Sequence, residues 1–166
     1  MRVLGCDPGP TQSALVILGD RRVLWHWIEP NQAILERLAY FGQCNRESKL
    51  DDELVIEQIA SFGKPVGAEV FETVFWSGRF AQTWRTFAEK PFHRLKRHEV
   101  KSALCGSQLA KDPHIRRYLI DRFGGQSVAI GRKGQKGPLY GIHGDCWAAL
   151  SVAITWQDKV AQKDSQ

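Results

Sequence analysis

Residues 3–7 read Val-Leu-Gly-Cys-Asp, a short apolar run that ends in a carboxylate and is followed by the turn sequence Pro-Gly-Pro. Apolar residues resume over 13–18, and Gly19-Asp20 then gives a two-residue hairpin signal before a third apolar run over 23–28. This pattern predicts that three consecutive antiparallel strands open the domain.

The rest of the chain alternates helical and strand patterns. Residues 31–41 place Ile34, Leu35, Leu38 and Phe41 on one helical face. Residues 54–59 form a continuous apolar run typical of a central strand covered on both faces, except that the run includes Glu57. Further patterns predict a helix over 67–87, a strand over 91–95, short helices over 99–104 and 113–123, and a closing helix over 145–160. The sequence therefore predicts an α/β domain with a mixed five-stranded sheet flanked by helices.

Composition fits one globular domain, here placed at residues 1–160 with a polar tail over 161–166. The 166-residue chain is 43% hydrophobic, which excludes global disorder, and its net charge of +5 favours an anionic partner. The four cysteines form no C-x-x-C pair, so neither a zinc knuckle nor a disulfide scaffold is indicated. No signal peptide or membrane-spanning segment is recognised, and we expect a cytoplasmic protein without membrane contact.

Two segments have more than one interpretation. Trp76, Phe80, Trp84 and Phe87 recur at helical spacing, which favours core or subunit packing over a nucleic-acid stacking platform. Residues 124–144 hold seven of the 15 glycines together with several basic side chains, and we predict a mobile basic loop there.

Three acidic residues interrupt or cap otherwise apolar elements: Asp7, Glu57 and Asp145. If the first strand and the Glu57 strand are neighbours, their carboxylates meet at one sheet edge, where the last helix can deliver Asp145. Buried like charges repel, and all-oxygen ligands suit Mg²⁺ or Mn²⁺. Taken singly, Asp7 could be a turn residue, Glu57 a solvated strand end and Asp145 only an N-cap.

Basic residues recur downstream of the acidic positions. A charge run is most often a solvated face, but this recurrence favours contacts that position a nucleic-acid backbone over the acidic cluster. The candidate nucleic-acid contacts are Phe62, Lys64, Arg79, Lys96, Arg97, Lys101, Lys111, Arg132, Lys133 and Lys136.

Three motifs, in order and spacing, resemble the RuvC family of Holliday junction resolvases over nearly the whole chain. They are Leu4-Gly5-Cys6-Asp7-Pro8-Gly9, Val55-Ile56-Glu57-Gln58 and residues 145–155. The first matches the family's G-I-D-P-G with Cys6 in place of isoleucine, and the second matches A-I-E-Q. Val100-Lys101, Gly106 and Ala110-Lys111 fall where the family carries V-K, a glycine and a second lysine.

The resemblance implies an RNase H-like homodimer that cleaves four-way DNA junctions, leaving 5′-phosphate and 3′-hydroxyl ends. It implies two Mg²⁺ ions, replaceable by Mn²⁺, that are bridged by Asp7 and completed by Glu57 and Asp145. Lys101 and Lys111 would lie at the reacting phosphate. Phe62 would either wedge against unstacked bases or pack in the core. Recombination or branch-migration proteins are further expected partners.

The closing helix departs from the family pattern. Many members carry two aspartates three residues apart before an Ala-Leu pair, and matching Ala149-Leu150 to that pair puts Ala148 at the second aspartate. His143 is a weak candidate to replace the missing ligand, because it lies two positions from Asp145 rather than three. The long 124–144 segment is similar to RuvC-like proteins of phage or mobile-element type.

Other functions stay open on the sequence alone. One is an RNase H-like nuclease acting on RNA or other branched DNA, and another is a junction-binding protein without catalysis, suggested by Ala148. A fragment of an actin-like sugar kinase fits poorly, because one short domain cannot form a two-lobed cleft.

Overall fold

The structure, a computed structural model, describes residues 1–20, 22–60 and 65–165. Elements occur there in the order β1 (Val3–Asp7), β2 (Gln12–Leu18), β3 (Val23–Pro30), α1 (Asn31–Glu47), β4 (Glu53–Gln58), α2 (Ala68–Ala88), β5 (Phe92–Lys96), α3 (Arg97–Cys105), α4 (Asp112–Arg122), α5 (Gln126–Ala129), β6 (Gly131–Arg132), β7 (Gln135–Lys136) and α6 (Cys146–Asp164).

The main sheet has the strand order β3-β2-β1-β4-β5. The first three strands pair antiparallel, whereas β1, β4 and β5 run parallel to one another. The predicted mixed five-stranded sheet is therefore confirmed, and β4 lies next to β1.

Helices cover both faces of the sheet because its strands alternate apolar side chains between the two faces. Leu4 and Cys6 point to the α1 and α2 face, and their neighbour Val3 points to the α6 face. Phe80 and Trp84 of α2 are fully buried on the first face, which confirms core packing for these two aromatic residues, whereas Phe87 is 37% exposed.

Helix α6 lies unusually close to β1, at Gly5. A Cβ atom at this position would be 2.2 Å from the carbonyl oxygen of Ala149 and 2.9 Å from Cβ of Ala153. Only glycine fits this approach, since real Cβ contacts are never so short. The close approach brings the beginning of α6 to the edge of the sheet where β1 ends.

Two predicted boundaries and one predicted loop differ from the elements that the structure shows. Helix α1 continues to Glu47, six residues past the predicted end. The predicted polar tail from residue 161 is a continuation of α6 to Asp164, in keeping with the helix propensity of its Ala, Gln and Lys residues. The 124–144 segment contains α5 and the β6–β7 ribbon rather than a simple loop, because Ala129, Leu139 and Ile142 are buried against the α6-side core.

No helix in the described ranges combines the length and the apolar character needed to cross a membrane.

Candidate active site

The parallel pairing of β1 with β4 determines the position of the first two carboxylates. Cys6 lies opposite Ile56, so Asp7 and Glu57 follow at the same carboxyl-terminal edge of the sheet. Both lie on the α6 side, because Gly5 contacts α6 and Val55 belongs to the α6-side core. Asp145 immediately precedes α6 at this edge. The structure thus places at one edge the three acidic residues that the sequence singled out.

Asp7 is the most perturbed of these acids. Burial, and then the negative charges of Glu57 and Asp145, raise the pKa of Asp7 to about 8, against the opposing charge of Arg97. The alternative role of Asp7 as a turn residue receives no support, because other side chains stabilise this turn. The hydroxyl of Ser13 accepts from the Gly9 N–H at 3.1 Å, and the Asn31 amide donates to the Gly9 carbonyl at 3.0 Å.

Asp145 is exposed at the N-cap position of α6, but its side chain makes no capping hydrogen bond. The first turn of the helix is held through the backbone, where the Ala149 N–H donates to the Asp145 carbonyl at 3.0 Å. Capping therefore does not account for the Asp145 carboxylate, whose negative charge contributes to the raised pKa of Asp7.

Glu57 has a partner that sequence reasoning missed in this role. Nη1 of Arg97 is 3.1 Å from Oε2 of Glu57, and Nη2 of the same guanidinium is 2.5 Å from Oδ1 of Asp112. Burial raises the pKa of Glu57, and the charge of Arg97 opposes that rise. The sequence predicts only a nucleic-acid contact for Arg97 and no role for Asp112. The sequence places Arg97 just after the strand beside β4, which is a usable signal, whereas Asp112 meets it only through the packing of α4.

His143 is exposed in the stretch between the β6–β7 ribbon and α6. Its Nδ1 is 2.8 Å from the Gly141 carbonyl oxygen, and its ring packs edge-on against His26 with the centroids 6.1 Å apart. The role of His143 as a replacement ligand at the Ala148 position stays a prediction.

The donor set suits a hard divalent cation, since carboxylate oxygens are the ligands Mg²⁺ and Mn²⁺ prefer and mutual repulsion raises the affinity of Asp7 for a positive partner. Over residues 1–20, 22–60 and 65–165, no three His, Cys, Asp or Glu side chains converge as a preformed metal cage. Asp7 interacts with Glu57 and Asp145 through charge repulsion, and one oxygen of Glu57 is paired with the Arg97 guanidinium.

The two predicted catalytic lysines differ in their relation to the acids. Lys101 lies in α3 close enough to Glu57 for its charge to lower the pKa of that carboxyl. Lys111 is exposed at the N-cap of α4, and its backbone N–H donates to Nδ1 of His114 at 3.2 Å. Lys111 is also the residue before Asp112, so it borders the same corner.

The other predicted nucleic-acid contacts that the structure describes lie on β5, on α2 and in the β6–β7 ribbon. Lys96 is exposed at the end of β5, and the Arg79 guanidinium lies over the Trp76 ring at 4.3 Å on α2. Arg132 and Lys133 are exposed in the β6–β7 ribbon, where Lys136 lies 5.1 Å from the Tyr140 ring centroid. Phe62 and Lys64 lie outside the described residues.

Comparison with known proteins shows the fold. No family model matches the chain, and no curated protein matches it. A structure of RuvC from Thermus thermophilus is similar over 98% of this chain and 97% of that one, with a TM-score of 0.68 and 18% identity. A second structure, of T. thermophilus RuvC in complex with a Holliday junction substrate, is similar over 93% of this chain and 92% of that one, with a TM-score of 0.64 and 19% identity. The chain has the RNase H-like fold of RuvC.

Proposed function

We propose that this protein is a divalent-metal-dependent endonuclease of the RuvC type that resolves four-way DNA junctions by paired phosphodiester cleavage. The observation that carries the proposal is the placement of Asp7, Glu57 and Asp145 at one sheet edge, within reach of one another's charges, in a chain with the fold of RuvC over 98% of its length. The T. thermophilus protein of similar fold was solved with a Holliday junction substrate, which supports the same substrate class here.

The three carboxylates would hold two Mg²⁺ ions, or Mn²⁺ in their place, with Asp7 contributing to both. Such ions, when bound, supply an activated water for in-line attack and neutralise charge on the leaving 3′-oxygen. Asp7 suits the central position because it is the acid that both other carboxylates repel. Burial of Asp7 and Glu57 also keeps bulk water from competing for their oxygens.

Lys101 and Lys111 would act on the DNA rather than on the ions. An ammonium beside the reacting phosphate stabilises the charge that grows in the transition state. Lys101 is supported in this role by its electrostatic contact with Glu57, and Lys111 by its place next to Asp112. Lys96 and the basic β6–β7 ribbon would contact the backbone of the junction arms.

A homodimer would present two such sites to a two-fold junction. Helix α2 offers a surface for a second copy, because Phe71, Val74 and Phe75 are 66%, 54% and 59% exposed at i, i+3 and i+4 spacing. An isologous contact along this stripe would bury apolar area that the monomer leaves in water. Light scattering of the wild type and of Phe75→Glu would test it: we expect a dimer for the first and a monomer for the second.

The experiment that tests the function combines the purified protein with a synthetic four-way junction and a linear duplex, with and without Mg²⁺. We expect Mg²⁺-dependent paired nicks in the junction and little cleavage of the duplex. Preferential cleavage of an RNA-containing or other branched substrate in the same panel would instead support a different RNase H-like nuclease.

A second candidate is a junction-binding protein without catalysis. Two observations favour it: Ala148 stands where many relatives of this pattern have an aspartate, and Arg97 already neutralises Glu57. Tight junction binding with no metal-dependent nicking would support this candidate and contradict the nuclease.

A further inference from the structure

Arg97 joins a buried carboxylate of the proposed active site to an exposed carboxylate outside it. The side chain of Glu57 is 14% exposed and that of Asp112 is 74% exposed, and one guanidinium contacts both. The two contacts use different nitrogens, Nη1 for Glu57 at 3.1 Å and Nη2 for Asp112 at 2.5 Å. Arg97 can therefore lose one partner and keep the other.

Helix electrostatics make the two ends of this bridge unequal. Arg97 is the first residue of α3, where the positive end of the helix dipole disfavours a cation. Asp112 is the first residue of α4, where the same dipole favours an anion. Asp112 is thus a stable anchor for the guanidinium whether or not Glu57 is engaged.

Arg97 and a divalent cation would compete for the Glu57 carboxylate. The Arg97 guanidinium donates to Oε2, one of the oxygens that a metal ion would use, and its positive charge repels a divalent ion at that position. Lys101 adds a second positive charge near Glu57, and Asp7 and Asp112 add negative ones. The balance of these charges decides which cation Glu57 holds.

We propose that Arg97 is the counter-ion of Glu57 in the metal-free protein, that a divalent cation must displace it to engage Glu57, and that Asp112 retains the displaced guanidinium. Arg97 is then a positioning residue that sets the metal affinity through Glu57. The inference rests on the proposed function, since it takes Glu57 as a metal ligand.

The test measures Mn²⁺ binding by titration calorimetry on the DNA-free protein, so that no cleavage is needed. Arg97→Gln removes the competing positive charge and should tighten Mn²⁺ binding about fivefold. This factor corresponds to the free energy of one partly exposed ion pair. Asp112→Asn removes the anchor, leaves Arg97 on Glu57 and should weaken Mn²⁺ binding about threefold.

The double variant separates this relay from a general change in charge. If Asp112 acts through Arg97, the Asp112→Asn change in the Arg97→Gln background should alter the affinity by less than about 1.5-fold. Two independent long-range charge effects would instead multiply. Arg94→Gln is the matched control, because it removes a positive charge from the same stretch of chain and should leave Mn²⁺ affinity nearly unchanged.

Two further readouts exclude a merely structural role. In the absence of metal, Arg97→Gln should lower the Tm, and the rise in Tm on adding Mn²⁺ should exceed that of the wild type. Arg97→Lys keeps the charge and should return the Mn²⁺ affinity toward the wild-type value.

An equal or weaker Mn²⁺ affinity in Arg97→Gln, with binding by the wild type intact, overturns the relay and leaves the proposed metal centre standing. Multiplicative effects in the double variant also overturn it. If neither the wild type nor Arg97→Gln binds Mn²⁺, both the relay and the metal centre fail. Binding by Arg97→Gln that exceeds wild-type binding supports both.

Discussion

Strand β4 carries a glutamate near each end, and the two have opposite surroundings. Glu53 opens the strand and is satisfied by hydrogen-bond donors: it accepts from Nε1 of Trp156, and Nε2 of His93 lies 3.8 Å away. The His93 ring is stacked on Trp156 with the centroids 3.9 Å apart. The neighbouring Asp52, only 3% exposed, is paired with Arg2. Each acid at this end thus has a local partner.

At the other end of β4, acids face acids. Glu57 lies beside Asp7, and burial, followed by repulsion from the Glu57 and Asp145 charges, raises the pKa of Asp7 to about 8. Arg97 supplies one guanidinium for a corner that contains Asp7, Glu57, Asp112 and Asp145. A buried carboxylate is therefore not by itself a sign of function, whereas buried carboxylates short of counter-charge indicate a cation site.

The largest expected effect comes from removing the central acid. Asp7→Asn should lower junction cleavage by at least about 1,000-fold, because it removes a metal ligand's charge while leaving shape intact. Junction affinity should stay within about twofold of the wild type, since binding depends on basic contacts to phosphates. Single-turnover nicking and gel shifts on one junction substrate measure the two quantities.

Glu53→Gln is the control at the opposite end of the sheet and should cleave at close to the wild-type rate. Glu57→Gln should resemble Asp7→Asn. Undiminished turnover in Asp7→Asn would contradict the metal assignment.

The second prediction concerns the approach of α6 to β1. Gly5→Ala would place a methyl carbon 2.2 Å from the Ala149 carbonyl oxygen, so α6 must shift. We expect a loss of about 3 kcal/mol in the free energy of unfolding, measured by urea titration, together with impaired cleavage. Gly78→Ala is the matched control, because it lies in α2 with nothing within 4 Å and should be neutral or stabilising. A shift of α6 that leaves cleavage intact would argue against Asp145 as a ligand.

The third prediction compares the acids at the two ends of β4 by the pH dependence of the protein's stability. The pKa of Asp7 is raised to about 8 in the folded chain from an ordinary value of 3.8, so the folded state binds the extra proton between these values. Stability of the metal-free protein should therefore fall as pH rises from about 4 to about 8, and Asp7→Asn should remove this loss. At pH 8 in chelator, we expect Asp7→Asn to be more stable than the wild type by about 2 kcal/mol.

Asp52→Asn, at the partnered end, should instead destabilise the protein by about 1–3 kcal/mol because it leaves Arg2 without its ion pair. Urea unfolding at pH 5 and pH 8 would check both variants. A wild type equally stable at the two pH values would contradict the raised pKa of Asp7.

The fourth prediction separates chemistry from binding. Lys101→Ala and Lys111→Ala should each lower the single-turnover rate about tenfold at saturating protein, with a smaller change in junction affinity. Lys133→Ala, in the β6–β7 ribbon, should do the reverse, lowering affinity with little effect on the rate. If only affinity fell for Lys101 and Lys111, they would be ordinary backbone contacts.

The smallest expected effect concerns Ala148. Ala148→Asp would add an i, i+3 carboxylate to Asp145 and should lower the Mg²⁺ concentration for half-maximal cleavage about threefold. His143→Ala should raise that concentration only if the imidazole is a ligand, a role for which the contact of Nδ1 with the Gly141 carbonyl leaves Nε2 free. An unchanged midpoint for Ala148→Asp would show that this position does not face the metal site.

Most of the sheet and the three acids of the proposed site could be predicted from the sequence, because they follow from local residue patterns. Short apolar runs and the Gly19-Asp20 turn predict the first three strands. Glu57 is a candidate site residue because it is a carboxylate within the apolar run 54–59. Period-2 alternation in the strands and helical spacing in α2 and α6 likewise follow from which residues avoid water.

What the sequence determined by itself was thus the set of elements and the acids that interrupt them, since hydrophobic periodicity and turn chemistry act over a few residues. Only the tertiary structure decided which charges meet. The folding of residues 124–144 depends on the burial of Leu139 and Ile142 against α6. Arg97 contacts Glu57, which is 40 residues away in the sequence, and Asp112, which is 15 residues away. Such contacts arise from the packing of whole helices, and no local pattern encodes them.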